Sequence, residues 1–325
     1  MKHIIYMLIF CSLYGCNNIS NSTYVSNLDS LSILISNDST DINLLKERSK
    51  IYIENNQFDL AKIDIDQAYG LFKNDIDLLL TRGDIYYFLN QTRISKESWE
   101  RCLKINPNQI ECRQKLTELL CIVRNPQCKL MIDTLSIINN GLISIPLIVS
   151  LKELGEYGLA IDFLQKLSSI HPRDKEILSL LSVIYSDTSV NNTHFNIELA
   201  ENKFEKIIEL YPDDSQVYYN FGKHKQNMLK YEEALLLYTK NIELDSRNKH
   251  SYYNMGFCAM QLAEYSRAID YFTNAIAIDN SFLLAYHARA YLYTMINNID
   301  QANKDWKTCL MLNPSYIPAL NALSK

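Results

Sequence analysis

Glycine and proline are scarce. The 325 residues hold 8 Gly and 7 Pro, together under 5%, where average usage gives roughly 12%. A chain with so few turn formers is mostly regular structure, which excludes collagen-like and Pro/Gly-rich disordered architectures. An excess of positive charge is also missing. Lys and Arg number 32 against 37 Asp and Glu, a formal net charge of −5, which argues against a generic binder of the phosphate backbone. Long apolar runs suited to repeated bilayer crossings are absent, so a polytopic membrane protein is excluded. What is present, 47% hydrophobic and 21% charged residues, fits a folded chain of about two ordinary domains or one elongated repeat array.

The N-terminus opens with Lys2 and His3, then an apolar run from Ile4 to Leu13, with polar sequence from Asn17. About a dozen apolar residues suit a signal peptide and fall short of the ~20 needed for a spanning helix. Leu13, Tyr14, Gly15 and Cys16 resemble the lipobox of bacterial lipoproteins, although Tyr14 stands where that family has a small residue. The resemblance implies cleavage of residues 1–15, lipidation of Cys16 and attachment to a leaflet without spanning it. With Asn17 rather than Asp after the cysteine, it implies the outer membrane, facing the periplasm. An ordinary secretory signal is the alternative. Residues 16–41, rich in Ser, Asn, Thr and Asp, read as a polar tether, with a short docked helix around Leu28 to Ile35 as the other reading.

The remainder repeats every 34 residues. With Ser215, Lys249 and Leu283 as starts, the fourth column holds Tyr218, Tyr252 and Tyr286, and the eighth Gly222, Gly256 and Ala290. The twentieth holds Ala234, Ala268 and Ala302; the twenty-fourth, Tyr238, Phe272 and Trp306. The same frame runs back through units starting at Ile76, with Gly83, Trp99 and Pro107, and at Ile42, with Ala61 and Ala68. Another starts at Gly141, with Tyr157, Ala160 and Pro172. This period and these columns resemble the tetratricopeptide repeat.

The physics of the columns agrees. Apolar steps of three and four residues predict paired helices. Small residues let the two backbones cross closely, and the aromatic beside them fills the space. Pro107, Pro172, Pro212 and Pro314, all in the thirty-second column, stop the second helix. The expected fold class is all-α: a right-handed superhelical solenoid of antiparallel helix pairs, about eight units, one of them degenerate. Two units are expected over 42–109 and five over 141–316, with an enlarged loop at 187–197 and a capping helix at 317–325. Residues 110–140 are three short of a unit and contain Pro126, so they read as a degenerate unit or a bend.

Four of the remaining cysteines, Cys102, Cys112, Cys121 and Cys128, crowd the irregular unit; the others are Cys258 and Cys309. Two readings stand. A disulfide between Cys121 and Cys128 would close the turn at Pro126 in an oxidising compartment. Alternatively all six fill the core, since Cys102 and Cys309 share the twenty-seventh column with Ala68 and Ala275. The intervals match no zinc pattern, and no metal site is expected.

No phosphate loop or His-Glu-His pattern occurs, so no catalytic residue and no cofactor are assigned. The family resemblance places columns two, five, six, nine, twelve and thirteen of each first helix on a concave face. In the last three units this selects Tyr219, Asn220, Lys223 and Asn227; His250, Tyr253, Asn254 and Phe257; and His287 and Tyr291. Asn220 and Asn254 resemble the start of the asparagine ladder in the repeat domain of O-linked N-acetylglucosamine transferase. Tyr219 and Leu284 replace lysines of the two-carboxylate clamp found in chaperone-binding repeats. Aromatics and amides suit an extended peptide. The expected function is a non-enzymatic scaffold or adaptor, held by lipid at a bacterial envelope membrane and binding proteins or peptides, with no nucleic-acid partner. A glycan-binding protein or accessory subunit of a cell-wall enzyme is the alternative.

Overall fold

The computed structural model describes residues 21–324, with side chains from residue 27. The expected signal peptide and the expected lipidation site Cys16 lie outside the described residues. All regular structure among the described residues is α-helical, and none of these helices is long and apolar enough to cross a membrane.

The first compact unit ends at Leu147. It contains α1 (Asn21–Asn37), α2 (Ile42–Glu54), α3 (Phe58–Leu71), α4 (Ile76–Phe88), α5 (Thr92–Ile105), α6 (Ile110–Ile122) and α7 (Cys128–Ile138). Helix α1 corrects the expected tether over most of its length. Its Leu31 and Ile35 are each 7% exposed, Ile35 clusters with Leu45 of α2, and Leu31 stands 34 residues before Ile65 of α3. The segment therefore has the register of a second helix, although its overall composition is polar. Residues 110–140 hold α6 and α7, which pack against each other.

The second unit runs from Ile148. After α8 (Ile145–Glu153), in which the division falls, come α9 (Tyr157–Ile170), α10 (Lys175–Ser186) and α11 (Ile197–Leu210). Three regular pairs follow: α12 (Ser215–Asn227) with α13 (Tyr231–Leu244), α14 (Lys249–Gln261) with α15 (Tyr265–Ile278), and α16 (Leu283–Met295) with α17 (Ile299–Leu312). Helix α18 (Ile317–Leu323) follows α17. The loop between α10 and α11 is built around Asn192, 6% exposed. Its Nδ2 donates to the carbonyls of Ile184 and Asp187 at 2.7 and 2.9 Å.

Each unit is thus a solenoid of antiparallel helix pairs, and local chemistry sets its joints. First helices begin at carboxylate or amide caps: Asp41, Asp75, Asp174, Asp214 and Asn248 accept from free amides of the first turn. Seven of the helix pairs turn at column fifteen through a left-handed residue. These are Asn56, Asn90, Arg124, Gly155, Leu229, Ala263 and Asn297. At the crossings, a Cβ on Gly83 would lie 2.2 Å from Trp99 Nε1, and one on Gly256 would lie 2.6 Å from Phe272. The small residue and the ring of the same pair therefore occupy one space.

The reading of all six cysteines as core fillers is corrected. Cys102 is bonded to Cys112 and Cys121 to Cys128, while Cys258 and Cys309 are buried free thiols. Column twenty-seven of one unit faces column three of the next. In the second unit that contact is a hydrogen bond, with Ser251 Oγ donating to Asn241 Oδ1. At Cys102 and Cys112, ten residues apart, it is covalent.

Candidate functional site

The residues assigned to a concave face stand on α12, α14 and α16, held from behind by the aromatic column. Burial holds the Tyr238 phenol in its protonated form, and its Oη donates to Gln226 Oε1 at 2.8 Å. Tyr219 leans on the Tyr238 ring at 6.0 Å between centroids, and its Oη accepts from Asn254 Nδ2 at 3.5 Å. One unit further, Tyr253 packs against Phe272 at 5.6 Å and Phe282 at 5.4 Å. His250 meets the same Phe282 edge to face at 5.3 Å. His287 lies against Trp306 at 5.2 Å and is hydrogen-bonded through Nδ1 to Tyr316 Oη.

Tyr219, Tyr253, Asn254, Phe257 and His287 are half-buried, and Lys223, Asn227, His250 and Tyr291 are exposed. The aromatics are fixed at one edge and presented at the other. Phe257 is anchored edge to face on Tyr231 at 6.4 Å. Asn220 and Asn254 do not form a ladder: Asn220 accepts from Gln216 within its own helix at 3.0 Å, and Asn254 turns to Tyr219. Phe282 was missed because it precedes α16 and belongs to no concave column.

Electrostatically this surface is close to neutral. Burial lowers the affinity of His250 and His287 for a proton, aided at His250 by the adjacent Lys249 charge. Burial also raises Tyr253, and pushes the Cys258 and Cys309 thiols up to about 12 and about 11. Neutral imidazoles, phenols and amides offer hydrogen bonds and contact area, and Lys223 adds one exposed positive charge.

The corresponding columns of the first unit are different in kind. Asp84 and Glu118 share column nine of α4 and α6. Desolvation lifts the Asp84 carboxyl to about 6, with Lys115 opposing and Glu118 and Glu111 adding to the shift. Glu118 accepts from Gln114 and Ser144 at 3.0 and 3.1 Å. The register of these acidic residues is legible in the sequence, outside the aromatic columns.

A family model for the tetratricopeptide repeat matches residues 76–109 and 250–282, one stretch in each unit. These two stretches are similar to tetratricopeptide repeats. No curated protein matches it. Among solved structures, one titled a crystal structure of MamA is 22% identical and covers 53% of this chain and 97% of its own, with a TM-score of 0.47. The first repeat domain of Spaghetti (RPAP3), solved with an HSP90 peptide, is 26% identical and covers 34% of this chain and 87% of its own, with a TM-score of 0.33.

Proposed function

We propose that the protein is a non-enzymatic scaffold, held by lipid on Cys16 at a bacterial envelope membrane, probing its partners through the faces of α12, α14 and α16. The repeat architecture supports protein–protein interaction in general. The observation that carries the finer reading is the row of half-exposed aromatic, imidazole and amide side chains in corresponding columns of three consecutive first helices. Tyr219, Tyr253 and Tyr291 supply contact area at low entropic cost, and Asn254 and Asn227 supply amides for a peptide backbone. Such a surface fits an extended, apolar or weakly acidic segment of another protein, in envelope assembly, secretion or motility machinery.

Two disulfides in the described chain support an oxidising compartment, in keeping with export through the N-terminal signal. Labelled palmitate is expected to enter the wild type and not Cys16→Ser, which leaves the membrane; an unlabelled, soluble wild type contradicts the anchor. Combined substitution of Tyr219, Tyr253 and Tyr291 by Ala is expected to lose co-purifying partners at least tenfold while the helical content persists. Retention of every partner contradicts the groove.

A further inference from the structure

Three first helices carry arginine in column seven: Arg48, Arg82 and Arg289. In two of them the guanidinium is closed off in the same way. Arg48 makes a two-pronged bond to Asp64, sixteen residues on, at 2.8 and 2.6 Å, and reaches back sixteen to Ser32 at 3.0 Å. Arg289 makes the same fork to Asp305, 2.8 Å on both prongs, and reaches back to Thr273 at 2.9 Å. Asp64 and Asp305 are buried, 1% and 3% exposed. A buried carboxylate and a planar guanidinium satisfy each other best in this parallel fork.

Arg82 breaks the pattern. Its forward partner is Ser98, not aspartate, and accepts one bond from Nη1 at 2.8 Å. The carboxylate lies behind instead, at Asp66, and meets Nε alone at 3.3 Å. Asp66 is further shared with the Tyr86 hydroxyl at 2.6 Å and the Lys62 ammonium at 3.0 Å. The guanidinium is held flat by Tyr69 and Tyr86, whose ring centroids lie 4.3 and 4.8 Å away. The forward side, where the other two arginines hold a carboxylate, opens into a cleft of about 620 Å³ lined by Tyr69, Arg82, Ser98, Arg101 and Lys104. Arg101 gives one bond to Asn74 at 2.8 Å, and its buried Nε has no hydrogen-bond partner. The two carboxylates of the lining, Glu97 and Glu100, are engaged by Arg93 and Lys96.

We propose that this cleft binds a carboxylate group supplied from outside the chain, an acidic side chain or a chain end, seated between Arg82 and Arg101 where Asp64 and Asp305 sit in the other two repeats. The underused fork on Arg82 then gains the carboxylate that its two counterparts hold within the chain, beside the Arg101 and Lys104 charges of the lining, which is worth more in a half-buried site than in water. Column seven lies outside the groove columns, so the proposal is independent of the groove reading.

The test is a titration of the full chain, with arginine Nε–H resonances observed by NMR, using N-acetylglutamate and, separately, inorganic phosphate. Wild type is expected to show saturable shifts at Arg82 and Arg101 with N-acetylglutamate. Ser98→Asp refills the place with the chain's own carboxylate; it is expected to keep the fold and to weaken binding at least tenfold. Arg101→Gln, which leaves the Arg82 contacts alone, is expected to weaken it severalfold and carries the test if Ser98→Asp fails to fold. No saturable shift, undiminished binding in the folded variants, or response to phosphate alone overturns the proposal.

Discussion

At the scale of single residues, Leu229 is held with φ at 60° and is 70% exposed. A branched side chain pays for this left-handed turn with steric strain of about 1 kcal/mol, and little burial is lost on removing it. Leu229→Gly is therefore expected to raise stability by about 0.5–1 kcal/mol, read from the urea midpoint; a fall would show that the turn geometry is otherwise. His224 is 2% exposed, packed beside Phe204 and Phe221, and neither ring nitrogen is hydrogen-bonded. Burial lowers its proton affinity, with Glu201 opposing at 3.6 Å, Lys225 and Lys230 assisting, and Glu233 beyond, bonded to Lys225. A histidine depressed in the fold stabilises it above the unfolded value of 6.5, and that contribution is lost as pH falls below it. Asp84 has the opposite sign: raised to about 6 from 3.8, it favours the fold at acid pH and loses that contribution as pH rises through 6. His224→Phe is expected to flatten the loss of thermal stability between pH 7 and 5. Asp84→Asn is expected to raise the midpoint at pH 7.5 and to matter less at pH 5. Equal pH profiles for wild type and both variants would count against these environments.

Among elements, the helix crossings are the joints with least tolerance. Gly256 lacks room for a Cβ beside Phe272, so Gly256→Ala is expected to cost about 1–3 kcal/mol despite alanine's better helix propensity. Phe272→Leu in the same chain should recover part of the loss, and a stabilising Gly256→Ala would refute the crossing geometry. The disulfides act on α6 from both ends, through Cys112 to α5 and through Cys121 to α7. Closing loops of ten and seven residues is worth roughly 2–3 kcal/mol each, which offsets the shortness of the irregular pair. Alkylation of unfolded, unreduced protein is expected to label Cys258 and Cys309 and to spare the four bridged cysteines until reductant is added. The helix pairs were legible because small, aromatic and proline columns recur at a fixed period. Helix α1 was legible only as the alternative of a short docked helix, because Leu31 and Ile35 stand as two buried apolar residues in a polar stretch. The Cys102–Cys112 bridge was obscured by reading column twenty-seven within one unit, when its partner is column three of the next. The candidate residues could be named from the columns of the repeat, but Phe282 and the redirected Asn254 depend on side-chain packing that periodicity does not encode.

For the whole molecule, corresponding columns carry different side chains along the repeats. Asp84, Glu111 and Glu118, with Lys115 among them, stand on α4 and α6, while α12, α14 and α16 present tyrosine, histidine and amide with Lys223. One repeat architecture thus offers two chemistries, and the central claim is that the second of them is where a partner segment lies. The most direct measurement is site-specific photocrosslinking in native membranes, with the reactive residue placed in turn at 219, 253 and 291, and at the exposed Leu236 of a second helix. The account predicts adducts with one common partner from the three groove positions and none from 236. Adducts from 236 alone, or none from the groove, would contradict it.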